Sequence, residues 1–216
     1  SVALAMQGQG VRIAALADLN DQTIRTVVQA IEAMDLHTAK HSTRVAAFAE
    51  TIAKEMKLPP ADVERIRRAA LLHDVGKIAV PEAILTKPGR LTTEEWHIVQ
   101  QHPVESAKII SGVDQYSPYI AGVRYHHERL DGKGYPDGLS GDKIPLDARI
   151  IAVADALEAM TADRAYRPRL SLDEALRELQ EGKGTQFDPE VVDACERALR
   201  RGMAEDVPPV PSKRAM

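Results

Sequence analysis

A single cysteine, Cys195, in 216 residues rules out an intramolecular disulfide framework and any zinc site built on clustered thiolates. Aromatic residues are scarce, with two Phe, one Trp and five Tyr. That supply is too thin for an aromatic-rich β-sandwich or a platform that tracks single-stranded nucleic acid. No charge of one sign dominates: 28 basic and 32 acidic residues leave a net −4, so neither DNA nor an anionic membrane surface is an expected partner. No apolar run approaches the roughly 18 residues that span a bilayer. The opening SVALAMQGQG lacks the basic start of a signal peptide. We expect a cytoplasmic protein, or the cytoplasmic part of a larger one. Against these shortages stand seven histidines, at 37, 41, 73, 97, 102, 126 and 127. Any metal bound here must be held by imidazole and carboxylate.

Hydrophobic residues make up 44% of the chain, enough for one globular core. Apolar positions recur at helical spacing from about 11 to 34, through Ile13, Leu16, Ile24, Val27, Val28, Ile31 and Met34. This segment reads either as a helix packed on the domain or as a connector or dimerising helix from an upstream module. Ser1 in place of an initiator methionine raises the expectation of a processed product or a piece of a longer protein. Further helices are expected at about 37–56, 61–73, 92–101, 103–111, 117–128, 147–162, 171–181 and 189–201. Pro103 suits a first helical turn, and Ser171 with Glu174 forms a capping-box pattern. The best strand candidates are two or three residues around Lys77–Val80, so the chain reads as all-α. Four of thirteen glycines crowd into 132–141 and mark one conspicuous loop. The tail from Met203, with Pro208, Pro209 and Pro211, reads as a flexible exit. The expected division is a connector over 1–35, a main domain over 36–202 and the tail over 203–216.

A lone histidine on a helix is more often a hydrogen-bonded core or surface residue than a ligand, so context must decide. His73-Asp74 closes the apolar helical run AALLHD and meets a turn at Gly76. Adjacent ligands at a helix end point to different sides and can reach different metal ions, and an Asp can bridge two metals through its two oxygens. Lys77 follows where a fixed cation can hold a phosphate oxygen. His37 and His41 lie four apart, on one face of a helix. His102-Pro103, His126-His127-Glu128 and Asp155 come later. Asp155 sits in the small-residue helix IIAVADALEAM, where burying an unpaired carboxylate is costly; a metal, a buried Arg or a helix cap would each satisfy it.

The ordered string His41, His73-Asp74, Asp155 resembles the HD superfamily of metal-dependent phosphohydrolases. HDVGK at 73–77, His102 and HHERLDGKGYP at 126–136 resemble its HD-GYP subfamily. The likeness continues through KPGRLTTEEW at 87–96, GLSGDKIPLDARIIAVAD at 138–155, MTADRAYR at 160–167 and FDP at 187–189, covering about 36–200. The resemblance implies a multi-helix HD-type bundle with a Gly-rich GYP loop. It also implies two or three divalent metal ions, Fe or Mn favoured, with Zn, Ni or Mg left open. The matching ligands are His41, His73, Asp74, His102, His126, His127 and Asp155. Some family members carry a Glu at the position of His37 and use it in a third metal site; this His37 is either such a ligand, a neighbour of the site or a solvent-facing residue. His97 falls outside the motifs and reads as an ordinary helix residue.

The implied activity is hydrolysis of cyclic di-GMP to pGpG, and onward to GMP, by a metal-activated hydroxide. Asp74 and Lys77 would then be catalytic. Lys77, Arg164 and Arg167 are candidates to hold phosphate oxygens, although the two arginines equally suit surface pairing with Asp163. Gly134, Tyr135 and Pro136 would either wall the substrate pocket, offer a docking surface to a partner such as a diguanylate cyclase domain, or brace the end of the His126-His127 helix. The rival readings are an HD hydrolase of another nucleotide and a non-catalytic module that binds the dinucleotide or a cyclase.

Overall fold

Lys40 stands in a left-handed conformation at the start of helix α1, His41–Glu55, and offers no side-chain cap of its own. The cap comes from outside. Glu32, in the preceding helical stretch 26–32, accepts from the backbone N–H groups of Lys40 at 3.0 Å and Ser42 at 2.7 Å, satisfying donors that a helix start leaves open. A computed structural model describes residues 22–24, 26–32, 40–162 and 169–202. His37, Arg164, Arg167 and the tail from Met203 lie outside these described residues. Ile24 and Val28, in the helical stretch ahead of α1, are buried in the same core as α1.

Helix α1 buries one stripe, Val45, Ala46, Phe48, Ala49, Ile52 and Ala53, as helical periodicity requires. Helix α2, Pro60–Leu72, begins with Pro at its first position, where no donor is lost, and buries Val63, Ile66, Ala69 and Ala70. The residues around Lys77–Val80, the best strand candidates in a chain read as all-α, form a 3-10 turn over Val75–Ala79. The reason is Gly76. Its N–H donates to Ser106 Oγ at 2.7 Å, and Ser106 Oγ in turn donates to the carbonyl of His73 at 2.8 Å, so this backbone is stitched to a helix and has no strand to pair with. Short helices α3, Glu82–Leu85, and α4, Thr93–Val99, follow, and then α5, His102–Ser111.

The expected helix 117–128 is divided. A 3-10 segment, Asp114–Tyr119, contains Pro118, which cannot donate to a helical ladder. It hands over to α6, Ile120–Tyr125, which ends before His126 and turns that histidine inward. Helix α7, Leu146–Thr161, is the buried centre of the fold; Ala148, Ile150, Ile151, Val153, Ala154 and Leu157 are shielded from solvent. Helix α8, Leu172–Glu181, starts with the expected Ser171/Glu174 capping box. Helix α9, Pro189–Arg200, is capped by Asp188, whose other oxygen takes the Arg149 guanidinium at 2.5 Å. Helix α1 packs between α2, α7 and α9, while α5 and α6 lie together beside the 3-10 turn. No strand occurs among the described residues; isolated bridges pair Asp131 with Ser140 and Lys183 with Phe187. The all-α reading holds. Among the described residues no helix is long and apolar enough to cross a membrane.

Candidate metal centre

The start of α1, the end of α2, the start of α5, the residues after α6 and the middle of α7 meet at one place. They bring together His41, His73, Asp74, His102, His126, His127 and Asp155, the full set of seven expected from the sequence. Donor atoms of His41, His73 and Asp155 lie within 4.8 Å of one another, as do those of His102, His126 and His127, and those of His73, Asp74 and His126. Asp74 faces both ways. Its Oδ1 is 3.1 Å from His102 Nε2, while its Oδ2 is 3.5 Å from His73 Nε2 and 3.6 Å from His41 Nε2. Asp155 Oδ1 is 3.4 Å from His41 Nε2.

The tautomers of these imidazoles follow from their outer partners. His73, His102 and His126 each place Nδ1 on the carbonyl oxygen three residues back, at Ala70 (2.7 Å), Val99 (2.7 Å) and Val123 (2.6 Å). A carbonyl only accepts, so Nδ1 carries the hydrogen and Nε2 presents its lone pair to the centre. Two such lone pairs, on His102 and His126, face each other at 3.4 Å. His73 Nε2 is buried with no hydrogen-bond partner. Lone pairs that converge in this way repel unless a cation lies among them. Nitrogen and oxygen donors without thiolate suit a divalent first-row metal, so the donor set fits the expected ions.

Burial pushes His73 down to about 4 and His126 down to about 3, and holds His127 well below its ordinary value. All three imidazoles are therefore neutral near pH 7, as ligation requires. Burial also penalises the Asp74 carboxylate, but the Lys77 ammonium and the surrounding histidines outweigh it and hold the group well below the usual range. Burial opposes a charge on His41 too, yet the Asp74 and Glu158 carboxylates prevail and lift it to about 10, so a metal at Nε2 would have to displace a proton there.

Glu158 escaped the sequence reading. It is buried one turn beyond Asp155 on α7, and its Oε2 accepts from His41 Nδ1 at 2.6 Å. Its other oxygen takes Arg44 Nε at 2.7 Å. The Asp155/Glu158 spacing of three, matched by the His41/Arg44 spacing of three on α1, is the signal that could have revealed it. This carboxylate–imidazole pair sets the orientation and basicity of His41. Glu158→Gln is expected to weaken metal affinity by about 10- to 100-fold while the helices stay intact, measured by competition against a chelator with circular dichroism as control.

The GYP loop braces the His126-His127 segment. The Tyr135 N–H donates to the His127 carbonyl at 3.2 Å, and Glu128 accepts from the N–H groups of Asp137 at 2.7 Å and Leu139 at 3.0 Å. A Cβ on Gly134 would lie 2.4 Å from Arg129 N and 2.6 Å from the His127 carbonyl oxygen, so only glycine permits that approach. Tyr135 is followed by a cis bond to Pro136. The Tyr135 ring lies over His127 with centroids 4.8 Å apart and a 33° tilt. Burial raises its phenol above the ordinary value, aided by Asp74 and Asp155, so it remains protonated. Lys77 Nζ sits 2.7 Å from Asp74 Oδ2. His97 is exposed on α4, its Nδ1 3.2 Å from Gln100 Oε1. A cleft of about 420 Å³ opens onto His126, His127 and Asp155, and Trp96, Arg129, Lys133, Gly134 and Tyr135 also line it.

The sequence profile of the HD domain family matches residues 25–191. The chain belongs to the HD domain family. HDVGK at 73–77 and HHERLDGKGYP at 126–136 make it a member of the HD-GYP subfamily. This HD domain chain is 40% identical over 185 residues to the 3'3'-cGAMP-specific phosphodiesterase 3 of Vibrio cholerae, covering 84% of this chain and 40% of that protein. It is 42% identical over 167 residues to a cyclic di-GMP phosphodiesterase of Thermotoga maritima, covering 76% of this chain and 45% of that protein. It thus spans less than half the length of either relative. Among solved structures, a cyclic GMP-AMP specific phosphodiesterase of V. cholerae superposes with a TM-score of 0.63 at 18% identity, covering 84% of this chain and 50% of that one. The HD domain of the L. monocytogenes phosphodiesterase PgpH, in complex with cyclic-di-AMP, superposes with a TM-score of 0.58 at 19% identity, covering 83% of this chain and 95% of that one. These two likenesses establish the HD fold. Family and donor set together point to divalent metal binding.

Proposed function

We propose that this chain is the hydrolytic unit of a metal-dependent phosphodiesterase that opens cyclic di-GMP to pGpG and carries it on to GMP. The observation that supports this most is Asp74, which turns one oxygen toward His102 at 3.1 Å and the other toward His73 at 3.5 Å. One carboxylate between two histidine clusters suits a pair of divalent ions, iron or manganese in this proposal. Such a pair supplies a nucleophilic water at neutral pH and Lewis-acid neutralisation of the phosphoryl oxygens. The protein's own part is to fix geometry and charge. His41, His73 and Asp155 form one half of the donor set, His102, His126 and His127 the other, and the backbone carbonyls and Glu158 hold the imidazoles in place. The Tyr135 phenol, protonated and beside the cleft, is an available hydrogen-bond donor. Lys133 and Arg129, the latter paired with Asp131 at 2.8 Å, line the cleft wall, where the ring of a cyclic dinucleotide would sit. Residues 36–202 would form the catalytic unit, controlled by an upstream sensory module.

The test is direct. The purified chain, loaded anaerobically with Mn or Fe, is incubated with cyclic di-GMP and, in parallel, with 3'3'-cGAMP, and products are separated by chromatography. Metal-dependent appearance of pGpG followed by GMP supports the reading. Cleavage of cGAMP alone would move the substrate, and no cleavage of either under metal-replete conditions would remove the enzymatic reading altogether. Lys77→Ala is expected to lower turnover about 100-fold, as for loss of one charge-stabilising donor, with metal content retained. Loss of metal in that variant would show that Lys77 acts through Asp74 rather than on phosphate.

A further inference from the structure

We propose that Trp96 is a nucleobase-stacking surface of this site, the residue against which one purine of a cyclic dinucleotide lies while its phosphate reaches the metal ligands. The inference rests on the cleft being a cyclic-dinucleotide site. A single exposed apolar side chain is ordinary on a protein surface; position is what sets this one apart. Trp96 is 45% exposed and lines the same cleft as His126, His127 and Asp155. Its ring meets that of Tyr135 edge-on at 6.4 Å between centroids, and Tyr135 in turn covers His127. The three rings form a continuous aromatic wall from the metal ligands outward, a span that suits a nucleotide with its phosphate at the inner end.

The helix that carries Trp96 is held for that purpose. Helix α4 buries none of its residues, so core packing does not fix it. A capping box joins Thr92 and Glu95, with Glu95 N on Thr92 Oγ1 at 3.2 Å and Thr92 N on Glu95 Oε2 at 2.7 Å. Glu95 also takes the Lys87 ammonium at 2.8 and 2.6 Å. The residue next to Trp96 is thus tied both to its own helix start and to the loop before it, which holds the backbone that carries the indole. Stacking uses the π-face that every base has, so it confers affinity without choosing between guanine and adenine.

Trp96 is the one tryptophan of the chain, so its emission reports on its own surroundings. A slowly cleaved phosphorothioate analogue of cyclic di-GMP, titrated into the metal-loaded protein, is expected to quench that emission saturably. Trp96→Ala should raise KM for cyclic di-GMP and for 3'3'-cGAMP by a similar factor, about tenfold or more. The kcat should fall far less, metal content and thermal melting should match the wild type, and Trp96→Phe should recover most of the loss. Cleavage by the wild type with no quenching and no change of KM in Trp96→Ala would overturn the stacking role and leave the proposed activity standing. If the wild type cleaves neither dinucleotide, the activity falls, and quenching by the analogue still decides the stacking role by its presence or absence.

Discussion

Replacing Asp74 by alanine is expected to cut turnover by on the order of 1,000-fold or more and to strip most of the bound metal. The size of the effect follows from where its oxygens point. Every other proposed ligand belongs to one half of the site, whereas Asp74 approaches His102 with one oxygen and His41 and His73 with the other. Its removal takes one donor from each half and deletes the negative charge between four imidazoles. It also removes the carboxylate that lies 2.7 Å from Lys77 Nζ. The check is metal content per chain by mass spectrometry alongside product chromatography. A variant that keeps both metal and activity would show that the donor set is wrongly assigned.

The second large effect is expected at a residue with no side chain. A Cβ placed on Gly76 would lie 2.1 Å from the His102 carbonyl oxygen, 2.4 Å from the Ser106 backbone nitrogen and 2.7 Å from Ser106 Oγ. The first two obstacles are backbone atoms of α5, which no rotamer change can move. Gly76→Ala therefore forces α5 away from the 3-10 turn, breaks the Gly76–Ser106–His73 stitch and shifts His102 relative to Asp74. Overpacking of this kind costs about 3 kcal/mol, which in a domain of this size lowers Tm by about 6–12 °C. Calorimetry of the variant, paired with its metal content, measures both consequences. A melt indistinguishable from the wild type would mean that α5 can retreat without cost.

The contrast between these residues and Glu158 explains what the sequence made legible. HDVGK and HHERLDGKGYP are local strings in which uncommon residue types stand side by side, so the chemistry is visible before any fold is known. The helices around them were legible for a related reason, since each carries its own period and its own start signal. Glu158 looks like any charged position on a helix. Its partners, Arg44 and His41, lie 114 and 117 residues earlier, and only the packing of α1 on α7 makes it a buried, paired carboxylate. Trp96 was hidden in the same way: composition counts one tryptophan, and the fold decides that it faces the cleft. The residues around Lys77–Val80, the nearest thing to a strand in a chain read as all-α, follow a backbone N–H that is bound to a serine 30 residues away and form a 3-10 turn.

The carbonyls that orient His73, His102 and His126 have a second identity. Ala70, Val99 and Val123 lie in the closing turns of α2, α4 and α6, where backbone acceptors run out of partners within the helix. Each imidazole therefore terminates a helix and aims a ligand with one and the same hydrogen bond. A ring flip that swapped Nδ1 for Nε2 would uncap the helix behind it, and fraying of that helix end would release the ring. Ligand geometry and helix ends are consequently gained and lost together, which leaves the centre without a hinge of its own.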